Sequence, residues 1–394
     1  MSAMPSADPF GLTTFNVDDL VMRPGIKWQF PAGRIAAWVA DMDFPIAPAI
    51  VERLQARAAA DIGYPDWPTI GRSHLPDLFA ERMTSRFGWS PDVGRLHEVA
   101  DVMQGVEVAI HHLCEPGDGV VLHTPSYPPF RESIERSRRQ VIDVPAVAGA
   151  KRYEWDYDDL DRRLTASRGT DGAARLWVLC HPQNPTGRVF GSAELARIAE
   201  LAERHDLVVV SDEIHAELVH EPNGHVPFAS LGADVAARTV TVTSSSKAFN
   251  LAGMRWAIVH AGVDRLHEQL ETLPLHYLGA PNLMAVEATD AAWIEGTEWQ
   301  RAVLARLDAN RRLLGELLTE HVPAVGYLSP EATYLAWLDC RELDLGDDPA
   351  ATFRRRGVEL SSGPNFGPLG AGYVRLNFAT SPTTLEAMIR RMAG

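Results

Sequence analysis

Four apolar runs recur through the middle of the chain, and each closes on polar turn residues: GVVLHTP (119–125), RLWVLCHP (175–182), LVVVSDE (207–213) and TVTVTSS (239–245). All four read as strands, and near-continuous apolar stretches such as LVVV suit a sheet covered on both faces. Between them lie helical patterns, clearest in SAELARIAELAERHD (192–206). There Leu195, Ile198, Leu201 and Ala202 share one face, with Arg197, Glu200 and Glu203 elsewhere. Strand alternating with helix predicts an α/β fold built on a mostly parallel sheet with helices on both sides.

A chain of 394 residues exceeds one small core, and two linked domains are expected. The sequence places the large domain at residues 46–284. A helical pattern at 299–322 crosses into a smaller α+β unit (285–394), with strands in ATYLAWLDCREL and AGYVRLNFATSP and a closing helix in TTLEAMIRRMAG. Residues 1–45 join that smaller unit or lie across a partner subunit.

Composition excludes some partners. A formal net charge of −15 argues against nucleic acid or an anionic membrane surface as the main partner, because binding phosphates needs a basic face. The opening MSAMPSADPFGLTTFNVDDL is polar and acidic, without a signal-peptide core, and no apolar run is long enough to span a bilayer. The three widely spaced cysteines, Cys114, Cys180 and Cys340, suit a reducing cytoplasm and form no metal-ligand pattern, so no metal is expected.

Candidate chemistry sits at predicted strand ends, where open α/β sheets bind ligands. In HPQNPTG (181–187), Asn184 can present an amide, although Pro, Asn and Gly there also make an ordinary turn. In VSDEIH (210–215), Asp212 ends an apolar strand, and a carboxylate in that place needs a cation, whether a protonated ring nitrogen or an arginine. In TVTVTSSSKAFNLAGMRWAIV (239–259), Ser244, Lys247 and Arg255 offer a hydroxyl, an ammonium and a guanidinium, a set suited to phosphate with a nucleophilic amine beside it. Lys247 is one of only three lysines in a chain with thirty-four arginines. In YVRLNF (373–378), Arg375 could receive a carboxylate or stand on an exposed strand face.

The order and spacing of these residues say more than any one of them. Asn184, Asp212 28 residues on, Lys247 35 beyond it, Arg255 eight later and Arg375 near the C-terminus form a series that resembles the fold-type I pyridoxal-phosphate enzymes of the class I/II aminotransferase group. The resemblance covers nearly the whole chain and implies the aspartate aminotransferase-like fold with pyridoxal 5′-phosphate as cofactor. By that likeness Lys247 would link covalently to the cofactor, Asp212 would pair with its ring nitrogen, and Asn184 would donate to its phenolic oxygen. Ser244 and Arg255 would hold the phosphate, Tyr127 of TPSYPPF would stack on the ring, and Arg375 would bind the substrate α-carboxylate. MQGVEVAI (103–110) corresponds to the family's phosphate loop, which would place Gly105 and Val106 at the phosphate. Glu107 departs from the pattern, and its side chain is expected to point away.

WVADMDFPIAPAI (38–50), GYPDW (63–67), DEIH (212–215) and TYLAWLD (333–339) narrow the resemblance to the cystathionine β-lyase, or C–S lyase, subfamily related to MalY and PatB. This implies a homodimer with shared active sites, Tyr64 reaching the partner's cofactor phosphate, and Asp41 of the ADMDF turn near the substrate. His215 stands where many aminotransferases have a tyrosine, beside the cofactor's phenolic oxygen. The implied reaction is α,β-elimination from cystathionine or another S-substituted cysteine to a thiol, pyruvate and ammonia. An aminotransferase of the same fold, and a cofactor-binding regulator without catalysis, remain the alternatives.

Overall fold

The computed structural model describes residues 8–30, 33–67, 72–274 and 277–394; the first seven residues of the expected N-terminal arm lie outside it. Its centre is an eight-stranded sheet of Leu96–Val99 (β1), Gly119–Thr124 (β2), Gln140–Ala148 (β3), Tyr153–Trp155 (β4), Ala174–Cys180 (β5), Val208–Asp212 (β6), Thr239–Thr243 (β7) and Ala257–Ala261 (β8). Strand order is β1-β8-β7-β6-β5-β2-β3-β4. The run β3-β2-β5-β6-β7 is parallel, while β8 and the two edge strands pair antiparallel. All four strands expected from the apolar runs are present, and they form the buried middle of the sheet.

Helices cover both faces. Ser192–Arg204 buries Leu195, Ile198, Leu201 and Ala202, the stripe its spacing predicts, and leaves Glu200 and Glu203 in water. Val102–Leu113 lies on the other face, with its first turn capped by Asp101 Oδ1, which accepts from Gln104 N at 2.8 Å. Chain order reverses between β2 and β5, so the loops after these strands diverge and leave a crevice at their C-terminal ends.

The smaller unit carries a four-stranded antiparallel sheet of Gly326–Tyr327 (β9), Leu335–Asp339 (β10), Ser361–Ser362 (β11) and Tyr373–Asn377 (β12), ordered β9-β10-β12-β11. The long helix Thr297–His321 packs on the closing helix Pro382–Ala393. Ile35–Ala36 pairs in parallel with Val358–Glu359, so the N-terminal segment joins this unit. The expected domain boundary after residue 284 falls inside the helix Leu283–Glu295, which buries Ala285, Val286, Ala288, Ala291, Ala292 and Trp293 and packs in part against Pro48–Ala60.

The N-terminal segment also shapes the crevice. Buried Lys27 pairs with Asp43 at 2.9 Å and donates to the Asp41 carbonyl at 2.9 Å, while Trp28 Nε1 donates to Asp43 Oδ1 at 2.8 Å. Asn250 closes the turn from the other side, accepting from Met42 N at 2.9 Å and donating to Met42 O at 3.0 Å. The ADMDF turn is thereby fixed over the strand ends.

Candidate active site

A cavity of about 420 Å³ opens at the C-terminal edge of the large sheet, between it and the smaller unit. Tyr127, Asn184, Asp212, His215, Ser244, Lys247, Arg255 and Arg375 all line it. Residues that sequence spacing relates only indirectly therefore meet in one place, because β2, β5, β6 and β7 are parallel and end together.

Three ionisable groups of this cavity, buried Asp212 and Arg375 and half-buried Lys247, have no ionic partner among the described residues. Asp212 ends β6 in the middle of the sheet, and its Oδ1 accepts only Ile214 N, at 3.0 Å. Burial pushes its pKa up to about 7, with Glu213 adding repulsion and Lys247 opposing it. Lys247 Nζ donates to the Ala40 carbonyl at 2.8 Å, and its pKa is lowered mainly by burial, with Asp41 and Asp212 opposing the drop. Arg375, on β12, donates to Asn184 Oδ1 at 3.1 Å, Trp38 O at 2.8 Å and Ser361 Oγ at 3.2 Å, and lies over the Phe366 ring. Burial brings its pKa down to about 10. A buried charge without a counter-ion is costly, so this is a site that waits for a ligand carrying complementary charges.

Other groups supply geometry. Arg375 takes the Asn184 oxygen, which fixes the amide and leaves its Nδ2 donor uncommitted among the described residues. Tyr127 precedes the helix Pro128–Arg136, where a proline in the first turn presets the backbone and turns the ring toward the crevice. His215 is buried, and burial with the nearby Lys247 and Arg375 cations pushes its pKa down to about 3, so the imidazole is neutral.

At the other end of the cavity Arg255 pairs with Asp101. Arg255 has φ +58°, an uncommon conformation for a non-glycine residue and one that concentrates at functional sites. The lining here is Ala100, Asp101, Val102 and Met103. Gly105 and Val106, expected at the phosphate, do not line it. The helix already starts at Val102, so Gly105 N is spent on Asp101 O at 3.3 Å. Gly105 is needed for packing instead, since a Cβ there would stand 2.8 Å from Val259 and 2.9 Å from Val242. The first-turn N–H groups of Val102 and Met103 are the ones without an acceptor among the described residues. Glu107 does point away, accepting from Ser133 Oγ at 2.7 Å on the surface. The acid that faces the cradle is Asp101, neutralised by Arg255.

Three further expectations change in detail. The Ser244 hydroxyl donates to Trp256 O at 2.6 Å, whereas the neighbouring Ser246 hydroxyl lines the cavity and makes no side-chain hydrogen bond among the described residues. Trp38, Val39 and Ala40, at the start of WVADMDF (38–44), line the pocket, while Asp41 is not part of the lining but is close enough to act on Lys247. Tyr64 is fully exposed and away from its own chain's cavity. Asn365 and Phe366, which no motif announces, complete the wall beside Arg375.

Residues 71–392 match the model of the family described as aminotransferase class I and II. The chain belongs to that family. Among its relatives, the cystathionine β-lyase PatB of Bacillus subtilis is 34% identical, with 90% of each chain covered. The cystathionine β-lyase of Corynebacterium glutamicum is 30% identical, over 96% of this chain and 98% of that one. The solved structure of cystalysin from Treponema denticola, which contains pyridoxal 5′-phosphate, superposes with a TM-score of 0.86 at 26% identity, covering 94% of this chain and 95% of that one.

The residues present fit that cofactor. Asp212 is a buried carboxylate that lacks a cation and could pair with a ring nitrogen, Asn184 Nδ2 is an uncommitted donor, and Lys247 is an amine whose pKa burial lowers. Arg255, Ser246 and the open first turn at Val102 supply a cradle for a dianion. The family is pyridoxal-phosphate-dependent, and this chain keeps the donor set it requires.

Proposed function

We propose that this chain is a pyridoxal-phosphate-dependent carbon–sulfur β-lyase that converts cystathionine or related S-substituted cysteines to a thiol, pyruvate and ammonia. The observation that carries the chemistry is the set of three ionisable groups, Asp212, Lys247 and Arg375, that share one cavity and have no ionic partner among the described residues. Likeness over nearly the full chain to cystathionine β-lyases supports elimination as the outcome.

When bound, the cofactor supplies an electron sink conjugated to the substrate Cα. Arg375 receives the α-carboxylate and, through Asn184, couples substrate position to cofactor position. Asp212 holds positive charge at the cavity floor, which favours electron withdrawal from Cα. Lys247 takes the Cα proton on Nζ, and the lowering of its pKa by burial favours the neutral amine that this step needs. Tyr127 would offer a ring face to the cofactor, His215 a neutral imidazole toward its phenolic oxygen, and Ser246, Arg255 and the N–H groups of Val102 and Met103 the phosphate cradle, while Ser244 braces the turn through Trp256 O. Trp38 and Phe366 exclude water around the Cβ–S bond.

The same reading makes the enzyme a cytoplasmic homodimer. Tyr64 and the neighbouring Ile62 are exposed on one segment, which suits a side chain that completes the partner's phosphate site. Among the described residues no helix is long and apolar enough to cross a membrane. Residues 46–284, continued to the end of the helix Leu283–Glu295 that packs on Pro48–Ala60, make up the cofactor-binding domain in this reading, and the rest, with the N-terminal segment, the smaller one. The test is incubation with cystathionine and no added keto acid: a lyase releases pyruvate, ammonia and homocysteine. Turnover only when a keto acid is supplied would make the chain an aminotransferase, and a cofactor spectrum without turnover of any amino acid would make it a regulator.

A further inference from the structure

Away from the cavity, three side chains that this chemistry does not use converge on the outer edge of the large sheet. His97 lies on the edge strand β1, and His267 and Glu271 lie on the helix Asp264–Thr272 that follows β8. The i, i+4 spacing puts His267 and Glu271 on one helix face. One ligand atom from each of the three residues lies within 4.8 Å of the other two.

The two imidazoles do not satisfy each other. Their ring centroids are 5.9 Å apart with a 54° tilt, neither stacked nor hydrogen-bonded. His97 Nε2 and His267 Nδ1 are each buried with no hydrogen-bond partner among the described residues. Buried side-chain nitrogens are nearly always paired, so two orphans beside a carboxylate need an explanation. The nearby Arg72 directs its guanidinium to the Val93 carbonyl at 2.7 Å.

We propose that His97, His267 and Glu271 bind a divalent late first-row cation, Zn²⁺ foremost, with a fourth position open to water. Two imidazoles and one carboxylate form a borderline ligand set that suits Zn²⁺, whereas Mg²⁺ and Ca²⁺ require oxygen ligands. Ligands on a tetrahedral Zn²⁺ stand roughly 3.3 Å apart, given bonds of about 2.0–2.1 Å, and rotation of the exposed Glu271 side chain closes the set. Bound there, the metal staples the helix Asp264–Thr272 to an edge strand that pairs on one side only. No cysteine pattern could announce such a site, because its ligands come from a strand and a helix far apart in sequence.

Calorimetric titration of the holoenzyme with Zn²⁺, and with Co²⁺ as a visible probe, tests this. One site per chain is expected, with a rise in thermal midpoint on adding Zn²⁺. His267→Ala and Glu271→Gln should each weaken binding at least about tenfold, since changes outside the ligand shell alone cost 10–100-fold. Both should abolish the Zn²⁺-dependent thermal shift while the cofactor's visible band stays unchanged. Glu271 is exposed, so Glu271→Gln reports on the site without disturbing the fold. Failure of the wild type to bind Zn²⁺, or equal affinity in the wild type and both variants, would overturn the proposal.

Discussion

Two lysines of this chain are drawn into the fold, Lys27 buried and Lys247 half-buried, and they sit in opposite electrostatic situations. Lys27 meets Asp43 at 2.9 Å and donates to a carbonyl, so its charge is answered within the fold. Among the described residues Lys247 meets only the Ala40 carbonyl, and its pKa falls. The arginines repeat the contrast. Buried Arg82 grips Glu217 with Nε at 2.8 Å and Nη2 at 2.5 Å, and donates to the Trp293 carbonyl, whereas buried Arg375 has no carboxylate among the described residues. Burial alone does not mark a functional charge; burial without a counter-ion does, because the fold has left the compensating charge to a ligand.

The contrast can be broken by substitution, and the largest effect is expected at Lys247. Lys247→Met should lower β-elimination beyond the roughly 10²–10⁴-fold that one proton-transferring group supplies, as it removes both the cofactor linkage and the base; steady-state assays of pyruvate release check this. Asp212→Asn should reduce kcat by on the order of 10²–10³-fold, the usual cost of losing an electrostatic group at a reacting centre. Arg375→Ala should lower kcat/KM by about 2–5 kcal/mol, mostly through KM, since a buried charge contact with substrate is lost.

Stability separates the two lysines in the other direction. Lys27→Met should destabilise the fold by about 3–5 kcal/mol in denaturant titrations, because Asp43 is left charged and buried. Lys247→Met in cofactor-free protein should be neutral or stabilising, because it removes a charge that the fold does not compensate. The smallest effect is a pH slope. In cofactor-free protein Asp212 has a folded pKa near 7, above its ordinary 3.8, so its contribution to stability is complete below pH 4 and is lost as pH rises toward 7. Asp212→Asn should flatten that part of the thermal-midpoint profile.

The sequence was informative where periodicity and strand ends carry the information. The central strands, the Ser192–Arg204 helix and the convergence of Asn184, Asp212 and Lys247 were legible, because parallel strands that end in polar residues must end on the same edge. The edge strands β1 and β4 and their neighbour β3 were not, since β1 and β4 are short and the exposure of β3 is mixed. The phosphate cradle was placed about one turn too far along: Gly105 looked like a loop glycine but serves close packing of helix on sheet. Trp38, Ser246, Asn365 and Phe366 reach the cavity by the docking of the smaller unit and the turn after β7, which local sequence does not encode.

With only three lysines, the central claim has a direct measurement. Borohydride reduction of the holoenzyme, digestion and peptide mass spectrometry should find the reduced cofactor on Lys247 alone, and Lys247→Arg should lose the borohydride-reducible visible band. A reduced adduct on Lys27 or Lys151, or a band that survives in Lys247→Arg, would contradict the account.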